Sequence, residues 1–250
     1  MKITVIIPTY NRKKTIKRCI NSIISQTIQP YEIIVVDDGS TDNTLEIVNE
    51  FMYNIKVIKQ NHRGAQAARN LGILNARGDY IAFLDSDDEW LPQMLETSIN
   101  EISLHKNDCV IYSDCLVYQN RNHRLWRLPE CGRDAYSFLL INTGPMFQSM
   151  LAKRDIFMKI GLLDENVMAY QEWETAIRLA SVAEIVHINQ PLFKYYLHSG
   201  ETISKDKVKG IKGYAYIVKK HSKEIIRLHG FQGLKIHLKR LLLLVINMWK

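Results

Sequence analysis

The chain lacks the features that mark several whole classes of protein. No apolar run approaches the roughly 20 residues that a helix needs to cross a bilayer. The apolar stretch at 3–7 is too short for a secretory signal and has no small-residue cleavage site after it. No internal repeat and no low-complexity linker is visible. With 46% hydrophobic and 24% charged residues, the 250-residue chain has the composition of an ordinary soluble globular protein.

Cysteine is scarce, and its four residues are scattered. They form no CxxC pair and have no metal-ligand spacing: Cys19, Cys109, Cys115 and Cys131. A disulfide framework and a structural zinc site are therefore not expected. We interpret these residues as reduced thiols in a cytoplasmic protein.

Acidic residues are almost absent from the last part of the chain. Residues 205–250 contain 12 Lys or Arg and 2 Asp or Glu, a net charge of +10, whereas the other 204 residues carry a net charge of −3. This asymmetry suggests an anionic partner. Of the two anionic partners, a lipid surface fits better than nucleic acid, because the chain has no nucleic-acid-binding motif. The alternative is an ordinary solvated helical face.

Strand-like and helix-like segments alternate four times in the first half of the chain. This pattern predicts an α/β fold with a mostly parallel sheet flanked by helices on both faces. The predicted strands are 2–7, 31–36, 55–58, 80–84 and 108–118, and the predicted helices are about 16–26, 42–51, 64–76 and 92–104.

After about residue 120 the alternation ends. Residues 121–144 look irregular, 148–152 resemble an edge strand, and short helices are expected at 154–160 and 172–181. Two short strands at 185–188 and 192–197 follow, and 205–250 should be helical in at least two segments broken near Gly230 and Gly233. We expect a domain at 1–204, with halves 1–118 and 119–204, and a basic helical extension at 205–250.

Three carboxylates directly follow the apolar run at 80–84. Asp85, Asp87 and Asp88 would repel each other unless a cation neutralised them. Carboxylate oxygens favour Mg²⁺ or Mn²⁺, and such an ion commonly links protein to a substrate diphosphate. A polar turn in which Asp85 or Ser86 caps the next helix would explain one acid well and three poorly.

The ends of the predicted parallel strands carry the other polar clusters. Ligands of such sheets bind outside the carboxyl ends of the strands. Tyr10 follows the first strand, Asp37 and Asp38 follow the second, and Asp85 and Asp87 follow the fourth. We therefore expect these side chains to meet in one cleft, although they are far apart in sequence.

Four motifs in register resemble the family 2 glycosyltransferases, which have the GT-A fold, a Rossmann-like α/β fold. The motifs are VIIPTYNR at 5–12, VVDDGSTD at 35–42, ARN at 68–70 and DSDD at 85–88. The resemblance implies an inverting transfer from a nucleotide-sugar donor, most often a UDP-sugar, with Mn²⁺ or Mg²⁺ as cofactor. It also implies an acceptor that is a glycan or a lipid-linked glycan, as in surface polysaccharide or glycoconjugate synthesis.

The same resemblance assigns a nucleotide-sugar site. Tyr10 would stack on the base, and Asp38 would accept the uracil N3–H; core packing of Tyr10 and a turn role for Asp37 are the alternatives. Arg69 would contact ribose or diphosphate, or else pair with an internal acid. The residues implied as nucleotide-sugar contacts are Pro8, Tyr10, Arg12, Asp38, Gly64, Arg69 and Asp85.

The metal site and the catalytic base follow from the same comparison. Asp87 resembles the direct metal ligand, Asp88 would cap or buttress, and His198 resembles a late histidine that reaches metal or diphosphate, with a structural histidine as the alternative. Glu172 falls on the position of the base that deprotonates the acceptor. The alternative for Glu172 is a charge that merely favours a helix N-terminus. Trp173 would line the acceptor pocket or pack inward.

Two questions remain open from the sequence alone. A protein that binds nucleotide-sugar with little or no turnover is the alternative to an enzyme. The tail could pack against the domain, dock on the inner face of the cell membrane, or form a homodimer through the apolar stretch at 241–246. No nucleic-acid partner is expected.

Overall fold

The structure is a computed structural model that describes residues 1–119, 122–197 and 206–247. Its strands are β1 (Ile3–Thr9), β2 (Glu32–Asp37), β3 (Ile55–Lys59), β4 (Tyr80–Phe83), β5 (Glu89–Trp90), β6 (Cys109–Gln119), β7 (Asn122–Trp126), β8 (Leu151–Lys153) and β9 (Glu184–Leu197). Its helices are α1 (Ile16–Ile24), α2 (Thr44–Asn49), α3 (Ala65–Asn75), α4 (Met94–Leu104), α5 (Ala135–Ile141), α6 (Arg154–Lys159), α7 (Gln171–Ala180), α8 (Lys207–Lys220) and α9 (Ser222–Ile246), with a 3₁₀ turn at Phe147–Ser149.

One sheet organises the molecule, in the order β3-β2-β1-β4-β8-β6-β9-β5, with β7 paired to β6. The four strands from the first 83 residues are parallel to one another. Beyond β4 the direction changes, because β8 is antiparallel to both β4 and β6. The predicted α/β fold with helices flanking a mostly parallel sheet is confirmed.

Alternation along the strands builds a core on each face of the sheet. In β1, Val5 and Ile7 pack with the helices α1, α2 and α4, whereas Ile6 faces α3 and the helices of the second half. All three side chains are fully buried. Burial on both faces explains why β1 appears in the sequence as an unbroken apolar run.

Three predictions for the second half were wrong. Residues 148–152 do not form an edge strand: Gln148 lies in the 3₁₀ turn, and β8 lies inside the sheet between β4 and β6. The segment 121–144 is not irregular throughout, since it contains β7 and α5. The two short strands are one strand, β9, whose pairing with β6 shifts register between Ile188 and Pro191.

The helices α8 and α9 pack against the rest of the protein. Tyr214, Ile217 and Ile225 are buried in the same core as α5 and α7. Gly230 interrupts α9 with non-helical backbone angles, so the predicted break is present there. Within the described part of the chain, no helix is long and apolar enough to span a membrane.

Candidate active site

Three parallel strands end at the same edge of the sheet and bring the predicted cleft residues together. The N–H of Asp38 donates to the carbonyl of Thr9 at 2.7 Å, which joins the ends of β2 and β1. On the other side of β1, the N–H of Leu84 donates to the carbonyl of Ile6 at 3.1 Å. Tyr10, Asp38 and the acids after β4 therefore lie along one edge, as the sequence predicted from the strand pattern.

Tyr10 forms an aromatic pair with His62 at this edge. Their ring centroids are 4.2 Å apart with the planes tilted by 38°, and Tyr10 is 37% exposed. Core packing of Tyr10 is therefore excluded. An exposed aromatic surface of this kind suits a flat base. His62 was not predicted from the sequence, and its position after β3 was the only available signal.

Asp38 is buried and holds the turn that precedes α3. Its carboxylate accepts hydrogen bonds from the backbone N–H of Arg63 at 2.7 Å and of Gly64 at 2.9 Å, and from the Gln60 amide at 2.6 Å. Gly64 has φ +94°, a conformation that glycine adopts at little cost. A contact of Asp38 with uracil stays a prediction, beside this role in shaping the turn.

Asp37 fills the turn role that was its alternative. Both oxygens of its buried carboxylate lie within 3.3 Å of the Ser40 N–H, the donor in an Asx-type turn. Pro8 lies inside β1, paired in register with Val36, and is buried. It thus shapes the strand end, and its contact with a nucleotide stays a prediction.

Arginine side chains surround the acid cluster after β4. A guanidinium nitrogen of Arg12 lies 3.5 Å from a carboxylate oxygen of Asp87. Arg18 donates to the backbone carbonyl of Asp87 at 2.6 Å and pairs with Glu89 at 2.8 Å, while its guanidinium lies 3.7 Å from the ring centre of Tyr196. Arg18 was not predicted from the sequence. Positive charge therefore partly offsets the repulsion among the carboxylates.

Asp85 is held from two sides. Arg69 of α3 donates to one carboxylate oxygen at 2.5 Å, and the amide of Gln148 donates to the other at 2.8 Å. Arg69 is buried, with its guanidinium 4.2 Å from the ring centre of Phe147. Arg69 therefore pairs with an internal acid in this structure, which was one of its two open interpretations. Gln148 was missed, since no motif surrounds it.

Asp88 is the buried member of the cluster. The Gln148 amide donates to one of its oxygens at 3.0 Å and the Tyr196 N–H to the other at 2.9 Å. Burial raises the pKa of Asp88 well above its ordinary value, and the charges of Asp87 and Asp85 raise it further, whereas the two hydrogen bonds oppose this rise. Asp88 thus buttresses the cluster, as expected.

Glu172 lies at the start of α7, within electrostatic range of Arg69 and Asp85. Burial raises the pKa of the Glu172 carboxyl, and the charge of Asp85 raises it further. The backbone N–H of Glu172 and the charge of Arg69 oppose this rise. Burial also raises the pKa of Tyr195, and the charges of Asp88, Glu172, Asp85 and Asp87 add to this rise. The aspartates and Glu172 therefore share one electrostatic environment. Trp173 packs inward and donates to the carbonyl of Leu139 at 2.7 Å.

The carboxylates after β4 fit a divalent cation only if oxygen atoms of a bound substrate complete its coordination. Within residues 1–119, 122–197 and 206–247, no group of three or more His, Cys, Asp or Glu side chains could hold a metal. Mg²⁺ is commonly bound through one or two carboxylates together with substrate phosphates, which matches the Asp85–Asp87 pair. His198 lies outside the described residues.

Comparison with known proteins agrees with this architecture. The fold is of the GT-A type: it resembles that of Staphylococcus aureus TarS 1–349 in complex with UDP-GlcNAc, with a TM-score of 0.75 and 22% identity over 95% of this chain and 70% of that one. The family model described as Glycosyl transferase family 2 matches residues 4–161, and the chain belongs to this family. The resemblance predicted from the four motifs is confirmed.

Relatives in curated collections are longer than this chain. Glycosyltransferase GlyA of Streptococcus pneumoniae is 44% identical over an alignment 226 residues long, which covers 80% of this chain and 31% of GlyA. An uncharacterized glycosyltransferase of Rickettsia prowazekii is 29% identical over an alignment 207 residues long, which covers 80% of this chain and 65% of the relative. The chain thus spans less than two thirds of either relative.

Replacing Gln148 with leucine tests how the cluster is held together. The variant loses the donor shared by Asp85 and Asp88, and we expect the free energy of unfolding at pH 7 to fall by about 1.5–3 kcal/mol, the range for hydrogen bonds to charged groups. Urea unfolding measures it. Gln93→Leu, at an exposed position before α4, is the control. Equal stability of the two variants would contradict a supporting role for Gln148.

Proposed function

We propose that the chain is a metal-dependent, inverting glycosyltransferase that moves a sugar from a nucleoside diphosphate sugar to an acceptor hydroxyl. The observation that carries this proposal is the common environment of the acids after β4, Arg69 and Glu172 at the carboxyl edge of the parallel strands. An acceptor among glycans or lipid-linked glycans suits a role in surface polysaccharide or glycoconjugate synthesis.

A UDP-sugar is the proposed donor. TarS, whose fold is similar, was crystallised with UDP-GlcNAc, and Tyr10 of this chain offers an exposed ring directly after β1. Asp38, Gly64, Pro8 and Arg12 would complete the nucleotide contacts. Arg69 and Asp85 would contact the ribose or the diphosphate, since Arg69 is a fixed cation at the base of the cleft.

Asp87 is the proposed metal ligand, with His198 as a further candidate. When bound, Mn²⁺ or Mg²⁺ would offset the negative charge that builds on the departing diphosphate. The side chain of Asp87 is 17% exposed and lies beside the Arg12 guanidinium. Arg12 and Arg18 would counter the charge of the cluster and keep Asp87 oriented toward the donor.

Glu172 is the proposed base. The acceptor oxygen attacks the anomeric carbon while the bond from that carbon to the diphosphate oxygen breaks, and the acceptor proton passes to the Glu172 carboxylate. The electron pair of the broken bond leaves with the nucleoside diphosphate. A carboxyl whose pKa is raised by burial is a stronger base than an exposed one, which suits this role.

The first test replaces Asp87 with alanine. We expect loss of sugar transfer and loss of Mn²⁺-dependent UDP binding, because the carboxylate proposed to hold the ion is gone. Calorimetry with UDP, with and without Mn²⁺, measures binding, and release of UDP from UDP-sugars measures transfer. Asp155→Ala, at an exposed position of α6, should leave both unchanged. Full activity of Asp87→Ala would refute the assigned role.

The second test replaces Glu172 with glutamine. We expect kcat to fall about 10²- to 10⁴-fold, the usual contribution of a general base, with UDP binding unchanged. The base acts when deprotonated, so wild-type kcat should rise with pH through a pKa above the ordinary value of 4.5, and this limb should vanish in the variant. Equal rates would remove Glu172 from the mechanism. A wild type that binds UDP-sugar but neither transfers nor hydrolyses it would instead be a nucleotide-sugar-binding protein.

We further propose that α9 docks the protein on an anionic membrane surface. The outer side of α9 after Gly230, opposite the buried His237, exposes Phe231 (73%), Leu238 (60%) and Leu242 (54%). Lys235 and Lys239 are interspersed on the same side and exposed. Apolar residues flanked by lysines suit an interface between acyl chains and anionic headgroups.

Co-sedimentation with vesicles tests this docking. We expect the protein to bind phosphatidylglycerol-containing vesicles more than phosphatidylcholine ones, with binding weakened by salt and lost in Leu238→Gln/Leu242→Gln. The control is Met52→Gln/Leu104→Gln, which changes exposed apolar residues elsewhere. If sedimentation is equal in all three proteins, the proposal fails. If gel filtration instead shows a dimer that only the α9 variant loses, this face is a homodimer contact.

A further inference from the structure

The helix that carries Glu172 begins in an unusual way. Tyr170, directly before α7, has left-handed backbone angles (φ 59°, ψ 35°), and no side chain caps the helix start. Bulky residues rarely adopt this conformation, which persists only where the surroundings hold it. The position of Glu172, two residues later, therefore depends on what holds the turn at Ala169 and Tyr170.

The contacts that hold this turn come from α8. Gly213 lies against the Ala169 backbone so closely that a Cβ atom there would be 2.7 Å from both the Ala169 nitrogen and oxygen. The ring of Tyr214 packs edge-on against that of Tyr170, with centroids 5.7 Å apart. Tyr214 also lies 5.2 Å from the ring centre of Trp173. One turn of α8 thus contacts the residues on both sides of Glu172.

A charged cluster joins the same two helices further along. Lys220 of α8 lies 2.7 Å from Glu174 and 2.5 Å from Asp164, and the Tyr216 hydroxyl donates to Asp164 at 2.9 Å. Although burial opposes ionisation, the nearby His221 imidazole and the hydrogen bonds from Arg178 and Lys220 lower the pKa of Glu174 to about 2. Glu174 is therefore ionised at neutral pH and fixed to α8.

The segment before α7 is also tied to the donor side of the cleft. The Asn70 side chain donates to the Leu163 carbonyl at 2.9 Å and to Glu165 at 3.0 Å, and it accepts from the Leu163 N–H at 2.8 Å. Asn70 directly follows Arg69, which pairs with Asp85. Residues 163–170 thus connect α3, whose Arg69 pairs with Asp85, to the 169–170 turn that α8 contacts.

From these contacts we infer that α8 is a positioning element of the catalytic site, in which Gly213 and Tyr214 fix the 169–170 turn and thereby place Glu172 against the acid cluster. This inference rests on the proposed role of Glu172 as the base. The contacts of Gly213 and Tyr214 are with α7 and the turn before it. In this scheme α8 sets the geometry of proton transfer, and the donor is bound by residues at the ends of the parallel strands. Positioning of this kind governs rate because small displacements of a reacting group are costly.

The structure offers a matched pair of glycines for the test. Gly213→Ala places a methyl group into the Ala169 backbone, whereas the Cβ of Gly210→Ala, on the same helix, meets no atom within 4 Å. Both changes give α8 the same gain in helix propensity. We expect Gly213→Ala to lower kcat by about tenfold or more with UDP affinity unchanged, and Gly210→Ala to match the wild type.

A readout independent of activity separates this inference from the proposed function. In protein labelled with ¹³C at glutamate carboxyls, the Glu172 signal is identified by its loss in Glu172→Gln. We expect its pKa to fall toward the ordinary value in Gly213→Ala, as the carboxyl becomes less buried, and to stay unchanged in Gly210→Ala. If Glu172→Gln keeps full activity while this shift occurs, the base assignment fails and the positioning stands.

A second pair of variants tests the inference if Gly213→Ala does not fold. Lys220→Gln removes the contacts to Glu174 and Asp164, whereas Lys219→Gln changes an exposed neighbour. Lys220→Gln should show the same changes in kcat and in Glu172 titration, and Lys219→Gln neither. The inference is overturned if Gly213→Ala or Lys220→Gln folds and keeps both the wild-type kcat and the wild-type titration of Glu172.

Discussion

Mutual repulsion among the carboxylates that follow β4 is the constraint on which the rest of the site depends. Asp85, Asp87 and Asp88 lie within five residues of the end of the buried strand β4, and Asp88 is itself buried. Such a cluster persists only with donors and cations arranged around it. Arg69 and Gln148 supply these to Asp85. The placement of α3 and of the 3₁₀ turn follows from this need.

The change of strand direction at β8 serves that arrangement. Because β8 runs antiparallel to β4, the 3₁₀ turn before it lies at the carboxyl edge of β4. Gln148 is thereby delivered to both Asp85 and Asp88. The carboxyl ends of the parallel strands form the edge of the sheet where a ligand is expected. The antiparallel strand β8 requires the chain to start from that edge, which places the neutral amide of Gln148 there. A lysine would add a positive charge there, whereas the Gln148 amide donates hydrogen bonds without adding charge.

Most of the parallel half of the fold was predictable because β1, β2 and β4 are largely buried on both faces. Unbroken apolar runs located these strands, and the parallel arrangement implied that Tyr10, Asp38 and Asp85 meet. By contrast, all five residues of β7 are exposed, so no periodicity marked it. Gln148, Arg18 and His62 reach the site only through the tertiary fold, and no spacing rule predicts such contacts. Asp134, whose side chain caps α5, is the sequence signal for the start of that helix.

The interior position of β8 ties the order of folding to the order of the chain. Tyr80–Phe83 lies between a partner that precedes it by about 75 residues and one that follows it by about 70. During synthesis β4, a largely apolar strand, therefore has one edge with unpaired backbone groups until residues 151–153 have emerged. Such an edge can pair with another strand. A nascent chain of this protein consequently passes through a stage in which early sheet formation and protection from aggregation depend on a segment not yet made.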